Sequence, residues 1–486
     1  MRVDPFAYEI AEAVRSHKVS AESVTRAALA RAERVQAGLN AFITIASEPA
    51  LRRARALDAR LRAGETLGPL AGVPVVVKDN ICTAGIRTTA GSKSLEHFVP
   101  PYSATVVERL ERAGAVVIAK SNLDEFGMGS SNENSAFGAA KNPWDPTRVP
   151  GGSSGGSAVA VATGVAPLAL GTDTGGSVRQ PAGLNGLIGL KPTYGRLSRY
   201  GVIAFASSLD QVGILCRGTQ DLALALAAMA GPDPMDATSL RDKPDFSLPG
   251  ESELAGMRIG IVSELSGQGN SEGVREVAER MRARLQALGA SVGAASLPHA
   301  RYGVAAYYLV APAEASSNLA RYDGMIYGSR ASAPGLGEAK SMVRSREAGF
   351  GLEVRRRVLM GTYALSAGYY EAYYGKALKV RRLIADDFAE AFRSFDLLMT
   401  PTSPTVAYPL GEKLADPLTM YLDDANTVLA NLAGNAAISL PGGKAEGGMP
   451  CGVHFIAPAL EDARLLRLSA AVERSLGEDF APLAPF

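Results

Sequence analysis

Between Arg148 and Asp173 the chain runs for 24 residues without a charged side chain. It reads Pro150-Gly-Gly-Ser-Ser-Gly-Gly-Ser157, then Ala158-Val-Ala-Val-Ala-Thr-Gly164, then Val165-Ala-Pro-Leu-Ala-Leu170, and leads into Gly171-Thr-Asp-Thr-Gly-Gly-Ser177. Two glycine–serine turns therefore flank one segment of small residues. Glycine lets backbone N–H groups face a ligand with no side chain in the way. Serine beside it places hydroxyls in the same space. The pattern points to nucleophilic chemistry.

A length of 486 residues suits two to four domains, or one large α/β unit with insertions. An apolar content of 47% is ample for a packed core, and a net charge of +1 argues against a strongly electrostatic nucleic-acid surface. RNA held mainly by a partner subunit stays compatible with that charge. Cys82, Cys216 and Cys451 are widely spaced, which excludes a CxxC metal clip or a disulfide framework and fits a reducing compartment. The first residues carry acid early and lack an apolar leader core. Two uncharged windows, 149–172 and 425–443, are interrupted by Gly, Pro, Ser or Asn, so neither reads as a membrane span. The expected setting is the cytoplasm.

Helical periodicity runs from an Asp4-Pro5 start to about residue 14, over 21–35 and over 50–62. Residues 72–77 and 114–119 read as buried strands around a helix at 105–113, the alternation of an α/β sheet. Further strands are expected at 165–170, 212–215, 257–262 and 397–399, and helices at 158–163, 272–288 and 460–475. Residues 307–382 read as largely helical, with glycine-rich breaks near 334–337 and 349–351; the Pro/Asp-rich stretch 231–250 reads as a surface connection.

Several motifs are absent. There is no phosphate-binding G-x-x-x-x-G-K-[ST], no H-E-x-x-H and no Ser-x-x-Lys, and Gly267-Gln-Gly-Asn-Ser-Glu-Gly273 misses the dinucleotide fingerprint by one position. His17, His97, His299 and His454 are too scattered to suggest a zinc site. Gly151-Gly-Ser153-Ser-Gly155 matches the nucleophile elbow of α/β-hydrolases, but that elbow follows a buried strand. Three prolines between residues 143 and 150 argue against one here. Ser177 has the better context: N–H groups of residues 174–177 can converge on an oxyanion, or the segment is an ordinary glycine-rich turn. Lys78 ends the run Val73-Pro-Val-Val-Val77. It either emerges into solvent or is desolvated, and desolvation lowers a lysine pKa enough to make it a base. Ser153 can relay a proton between Lys78 and Ser177, because one hydroxyl both donates and accepts.

Together these motifs resemble the amidase signature family. The matching residues are Val77-Lys78-Asp79, Gly151-Gly-Ser-Ser-Gly-Gly-Ser157 and Gly171-Thr-Asp-Thr-Gly-Gly-Ser-Val-Arg179, with 75 residues from Lys78 to Ser153 and 24 from there to Ser177. The resemblance implies an α/β fold: one large domain over 1–486 with a mixed central β-sheet covered by helices on both faces. It also implies an N-terminal helical part over 1–70 and a helical substrate-side insertion at about 298–385. It implies a Ser–Ser–Lys triad with Ser177 as nucleophile, Ser153 as bridge in a cis peptide and Lys78 as base. Thr174, Gly175 and Gly176 would form the oxyanion hole.

Within that family the chain is similar to the branch that supplies the A subunits of glutamine-dependent tRNA amidotransferases. The blocks Lys120–Asn134, Glu314–Gly324, Gly361–Tyr370 and Met420–Asp424 carry this finer likeness. That branch implies a glutaminase whose ammonia passes to a B subunit holding ATP, Mg²⁺ and misacylated tRNA (Asp-tRNA(Asn) or Glu-tRNA(Gln)). A small C subunit completes the heterotrimer, and this chain itself carries no cofactor or metal. It implies that Tyr308, Arg357 and Asp424 hold glutamine. A guanidinium grips an α-carboxylate through paired hydrogen bonds, and a carboxylate holds the α-ammonium. Arg355-Arg-Arg357 reads equally well as a solvated helix face, and Asp423 as the bland neighbour of Asp424. Residues 428–436 lack the proline that similar proteins carry there, which touches only local loop geometry. The rival readings are a free-standing amidase of the same Ser–Ser–Lys type, a non-catalytic glycine-loop binding module, and an esterase using His299 or His454.

Overall fold

Eleven strands form one sheet. In chain order they are β1 Phe42–Ile45, β2 Pro74–Lys78, β3 Val116–Ser121, β4 Leu168–Asp173, β5 Ile188–Lys191, β6 Gln211–Cys216, β7 Arg258–Val262, β8 Ser291–Ala295, β9 Leu397–Pro401, β10 Ala436–Lys444 and β11 Pro450–Ala457. Their order across the sheet is β1-β3-β2-β4-β6-β5-β10-β11-β9-β7-β8. The computed structural model describes residues 5–242, 244–248, 254–331 and 337–486. β2 lies parallel to β3 and β4, and β7 parallel to β8 and β9. The other pairings are antiparallel, so the sheet is mixed. Every residue of β2 to β6, β9 and β11 is buried. Strands rich in Val, Ile, Leu and Ala stay buried throughout only where helices cover both faces. At the far edge β8 is mostly exposed.

The register between β2 and β4 places the site. Val75, Val76 and Val77 pair with Leu168, Ala169 and Leu170. Parallel neighbours end on the same side, so Lys78 and the Gly171–Ser177 segment emerge together at the carboxyl ends, where open α/β sheets bind ligands. The helix after the first glycine–serine turn starts earlier than expected, at Gly155–Ala162. The Ser154 carbonyl already accepts the Ala158 N–H at 3.1 Å, so two glycines form its first turn. β4 begins later than expected because Pro167, which has no N–H to donate, precedes it.

Five strands were not anticipated: β1, β5, β8, β10 and β11. β10 contains Pro441 and Gly442, and its register shifts between Pro441 and Gly443. The N-terminal part holds helices Ala7–Arg15, Ala21–Leu39 and Ser47–Arg62, and also β1, which pairs with β3. The expected Asp4 cap lies outside the described residues. The N–H groups of Ala7 and Tyr8 are instead received by Asp221, at 2.8 and 3.1 Å.

Helices Gly303–Asn318, Glu338–Gly349, Leu352–Ala364 and Lys376–Ser394 build the region opposite the serine turns. Phe350 and Gly351 separate the second from the third, within the break expected near 349–351; residues 334–336 of the other expected break lie outside the described residues. The stretch 231–248 holds no helix or strand among its described residues, yet Asp233 tethers it by accepting from Ser198 and Thr105; residues 243, 249 and 250 are not described. No helix among the described residues is long and apolar enough to cross a membrane.

Candidate active site

Lys78 is the last residue of β2 and has no exposed surface. Its Nζ lies 2.7 Å from Ser153 Oγ, 2.9 Å from Ser154 Oγ and 3.3 Å from the Thr172 carbonyl. All three partners are neutral. Burial pushes the lysine pKa down to about 7, against the pull of Asp124, Asp173 and Asp210 further away. Of the two readings open from sequence, the desolvated one describes this lysine.

The Gly152–Ser153 peptide is cis. Gln180 holds this turn: its Oε1 accepts the Gly152 N–H at 3.0 Å, and its Nε2 donates to the Ser130 carbonyl at 2.9 Å. A Cβ at residue 152 would collide with the Asp124 carboxylate, which itself accepts the N–H groups of Asn132 and Asn134. The Ser154 N–H donates to the Ser177 carbonyl at 3.1 Å and ties the two serine turns together. Ser177 is 8% exposed. Lys78 and Ser153 are thus in direct contact, while Ser177 joins them through its backbone; among the described residues no hydrogen bond links the Ser153 and Ser177 hydroxyls.

The Thr174–Gly176 segment is braced from three sides. Thr174 Oγ1 donates to Asp210 at 2.7 Å, and Asp210 also accepts the Phe205 N–H at 2.9 Å. Thr427 Oγ1 donates to the Gly175 carbonyl at 2.6 Å, and the Tyr307 ring lies against Gly175. Gly176 has φ +144°, and a Cβ there would strike Thr427. Among the described residues, the N–H groups of Gly175, Gly176 and Ser177 donate to no protein acceptor. Such free, fixed donors suit a developing oxyanion.

Tyr308, Arg357 and Asp424 converge. Tyr308 OH donates to Asp424 Oδ2 at 3.0 Å, and Ser130 Oγ reaches both Asp424 oxygens at 3.0 Å. Burial pushes the Asp424 carboxyl up to about 7, against those hydrogen bonds. The Arg357 guanidinium is buried 5.1 Å from the Tyr308 ring, while Arg355 is exposed and Arg356 half-buried. Asp423 is occupied by Lys413. Two links connect this cluster to the serines. Gln180 joins Ser130 to Gly152. Phe205 stands 5.8 Å from Arg357 and lies beside Gly127, next to Ser153.

Sequence reasoning missed Ser154, Asp210, Ser130, Glu353 and Tyr421. Ser154 sits inside the quoted motif. Glu353 precedes Arg357 by four residues, a spacing that brings side chains together on a helix. Neither histidine of the esterase reading touches the serines: His454 contacts Arg179 and Thr400, and His299 contacts Asp387. Among the described residues no group of three His, Cys, Asp or Glu side chains is placed to hold a metal.

The whole chain is similar to known proteins. The A subunit of the glutamyl-tRNA(Gln) amidotransferase of Acidothermus cellulolyticus is 55% identical over 476 residues, spanning 97% of this chain and 94% of that protein. The crystal structure of the corresponding glutamyl-tRNA(Gln) amidotransferase A subunit from Thermotoga maritima superposes with a TM-score of 0.80 at 42% identity, covering 96% of this chain and 94% of that one. The native peptide amidase of Stenotrophomonas maltophilia superposes with a TM-score of 0.84 at 29% identity, covering 100% and 99%. The family model described as Amidase matches residues 23–466, a span that takes in Lys78, both serine turns and the Tyr308–Arg357–Asp424 cluster. The chain belongs to the amidase family.

Proposed function

We propose that this chain is the glutaminase subunit of a tRNA-dependent amidotransferase, working through Lys78, Ser153 and Ser177. The observation that carries the chemistry is the buried Lys78 amine, 2.7 Å from Ser153 Oγ with no carboxylate in contact among the described residues. A neutral amine has two N–H groups and one lone pair. Ser154 Oγ and the Thr172 carbonyl take the N–H groups, and the lone pair is left for the Ser153 hydroxyl. As Ser177 Oγ attacks the side-chain amide carbon of glutamine, its proton moves to Ser153 and the Ser153 proton to Lys78. The N–H groups of residues 174–177 take up the oxyanion. The proton returns to the amide nitrogen, ammonia leaves, and water cleaves the glutamyl ester by the same relay. Asp424 and Tyr308 receive the α-ammonium and Arg357 the α-carboxylate.

Identity of 55% to a named amidotransferase component supports the assembled form over a free-standing amidase. In that form ammonia passes to a B subunit that holds ATP, Mg²⁺ and the misacylated tRNA, with a C subunit completing a cytoplasmic heterotrimer. The products are Asn-tRNA(Asn) or Gln-tRNA(Gln). Ser177→Ala tests the assignment. The assembled variant should lose glutamine hydrolysis by on the order of 10⁴-fold or more, yet still amidate charged tRNA with free ammonia. Undiminished glutamate release by that variant overturns the role of Ser177.

A further inference from the structure

Arg357 is a buried cation with an incomplete set of partners. Its Nε donates to Glu353 Oε1 at 2.8 Å, whereas its Nη2 has no hydrogen-bond partner among the described residues. Three rings wall the guanidinium, at 5.1 Å for Tyr308, 5.2 Å for Tyr421 and 5.8 Å for Phe205. Aromatic faces attract a cation but take none of its directed hydrogen bonds. Leaving a buried charged donor unpaired is costly, so the geometry leaves a place for an anionic ligand.

Glu353 sets that geometry. It is itself buried, and the Tyr421 hydroxyl donates to the same Oε1 at 2.8 Å. Arg356 takes the other oxygen. Burial alone would raise the Glu353 carboxyl, but Arg357 and these hydrogen bonds hold it below the usual carboxylate range, so it stays ionised. Tyr421 stacks on Tyr308 with centroids 3.9 Å apart, and Tyr308 reaches Asp424. One connected set of side chains therefore fixes both charges that face the amino-acid end of the substrate. A planar guanidinium anchored at Nε cannot turn about its last bond, so its remaining N–H edge is pre-aimed.

We infer that Glu353 is the positioning residue that aims Arg357, and that the preference for an amide bearing a free α-carboxylate rests on this pair. The inference depends on the glutamine reading above. Glu353 touches no substrate in this scheme; it acts through Arg357, with Tyr421 steadying both.

The test compares glutamine with 4-aminobutanamide, which keeps the ammonium and the side-chain amide but has no carboxylate, in the assembled enzyme. For Glu353→Gln the KM for glutamine should rise roughly 10- to 100-fold, the worth of a hydrogen bond to a charged group. The kcat should change far less. The kcat/KM ratio of glutamine over 4-aminobutanamide should fall by about tenfold or more. Tyr421→Phe, which keeps the stack and removes one hydroxyl, should shift the ratio the same way by less, and it serves if Glu353→Gln fails to fold. Equal losses on both substrates, or an unchanged KM for glutamine, overturn the inference. Absence of glutamine hydrolysis by the unaltered enzyme would instead sink the functional reading.

Discussion

Lys78 is suited to the proposed role of base because burial disfavours its ammonium form. Three neutral oxygens surround it, and no water-facing surface remains. Asp424 faces the opposite problem, a carboxylate buried beside hydroxyls. Burial brings both to about 7, one from above and one from below. The signs agree. In the proposed mechanism Lys78 must lose its proton to accept one, and Asp424 must lose its proton to hold an ammonium, so both active forms lie above about 7. The acid limb of log kcat/KM for glutamine should therefore steepen toward a slope of about 2 below neutrality, and Asp424→Asn should reduce it to about 1. A steady-state pH series measures both slopes. An unchanged slope in Asp424→Asn would show that this carboxylate does not titrate in the free enzyme.

Among the elements, the two serine turns matter more than the strands they follow. The turn at 151–155 is wedged between Asp124, Gln180 and the 131–132 backbone, and only glycine fits at 152. Gly152→Ala should destabilise the fold by about 1–3 kcal/mol in urea unfolding, the range for overpacking. It should also lower glutaminase kcat by roughly 100-fold through displacement of Ser153. Full activity with an added methyl would mean that the turn is not held as described. Much of this local structure was legible. Apolar runs gave most of β2 and β3 and half of β4, and of the residues that the motifs and the family resemblance singled out the structure brings Lys78 and Ser153 into contact. What was hidden had physical causes. Glycines 155 and 156 disguised a helix start, and prolines and glycines disguised β10 and β11. Glu353 lay in plain view four residues before Arg357, but the triple arginine read as a solvated face. The contacts of Tyr421 with Glu353 and of Ser130 with Asp424 span 68 and 294 residues of chain, and no local pattern announces them.

For the whole molecule, the sheet is the device that collects these distant residues. β2 and β4 run parallel and deliver Lys78 and the Ser177 turn to one side. The helices Gly303–Asn318 and Leu352–Ala364, with the turn Leu422–Asp424, bring Tyr308, Arg357 and Asp424 to the serines through Gln180 and Phe205. The proposed chemistry rests on an uncharged lysine amine acting on Ser177 through Ser153. The rate at which a serine-directed fluorophosphonate labels Ser177, followed by peptide mass spectrometry between about pH 5 and 9, tests that arrangement. Labelling should rise with pH through an inflection at about 7, and Lys78→Met should slow it by on the order of 10³-fold. A pH-independent rate, an equal rate in Lys78→Met, or a label on another residue would contradict it.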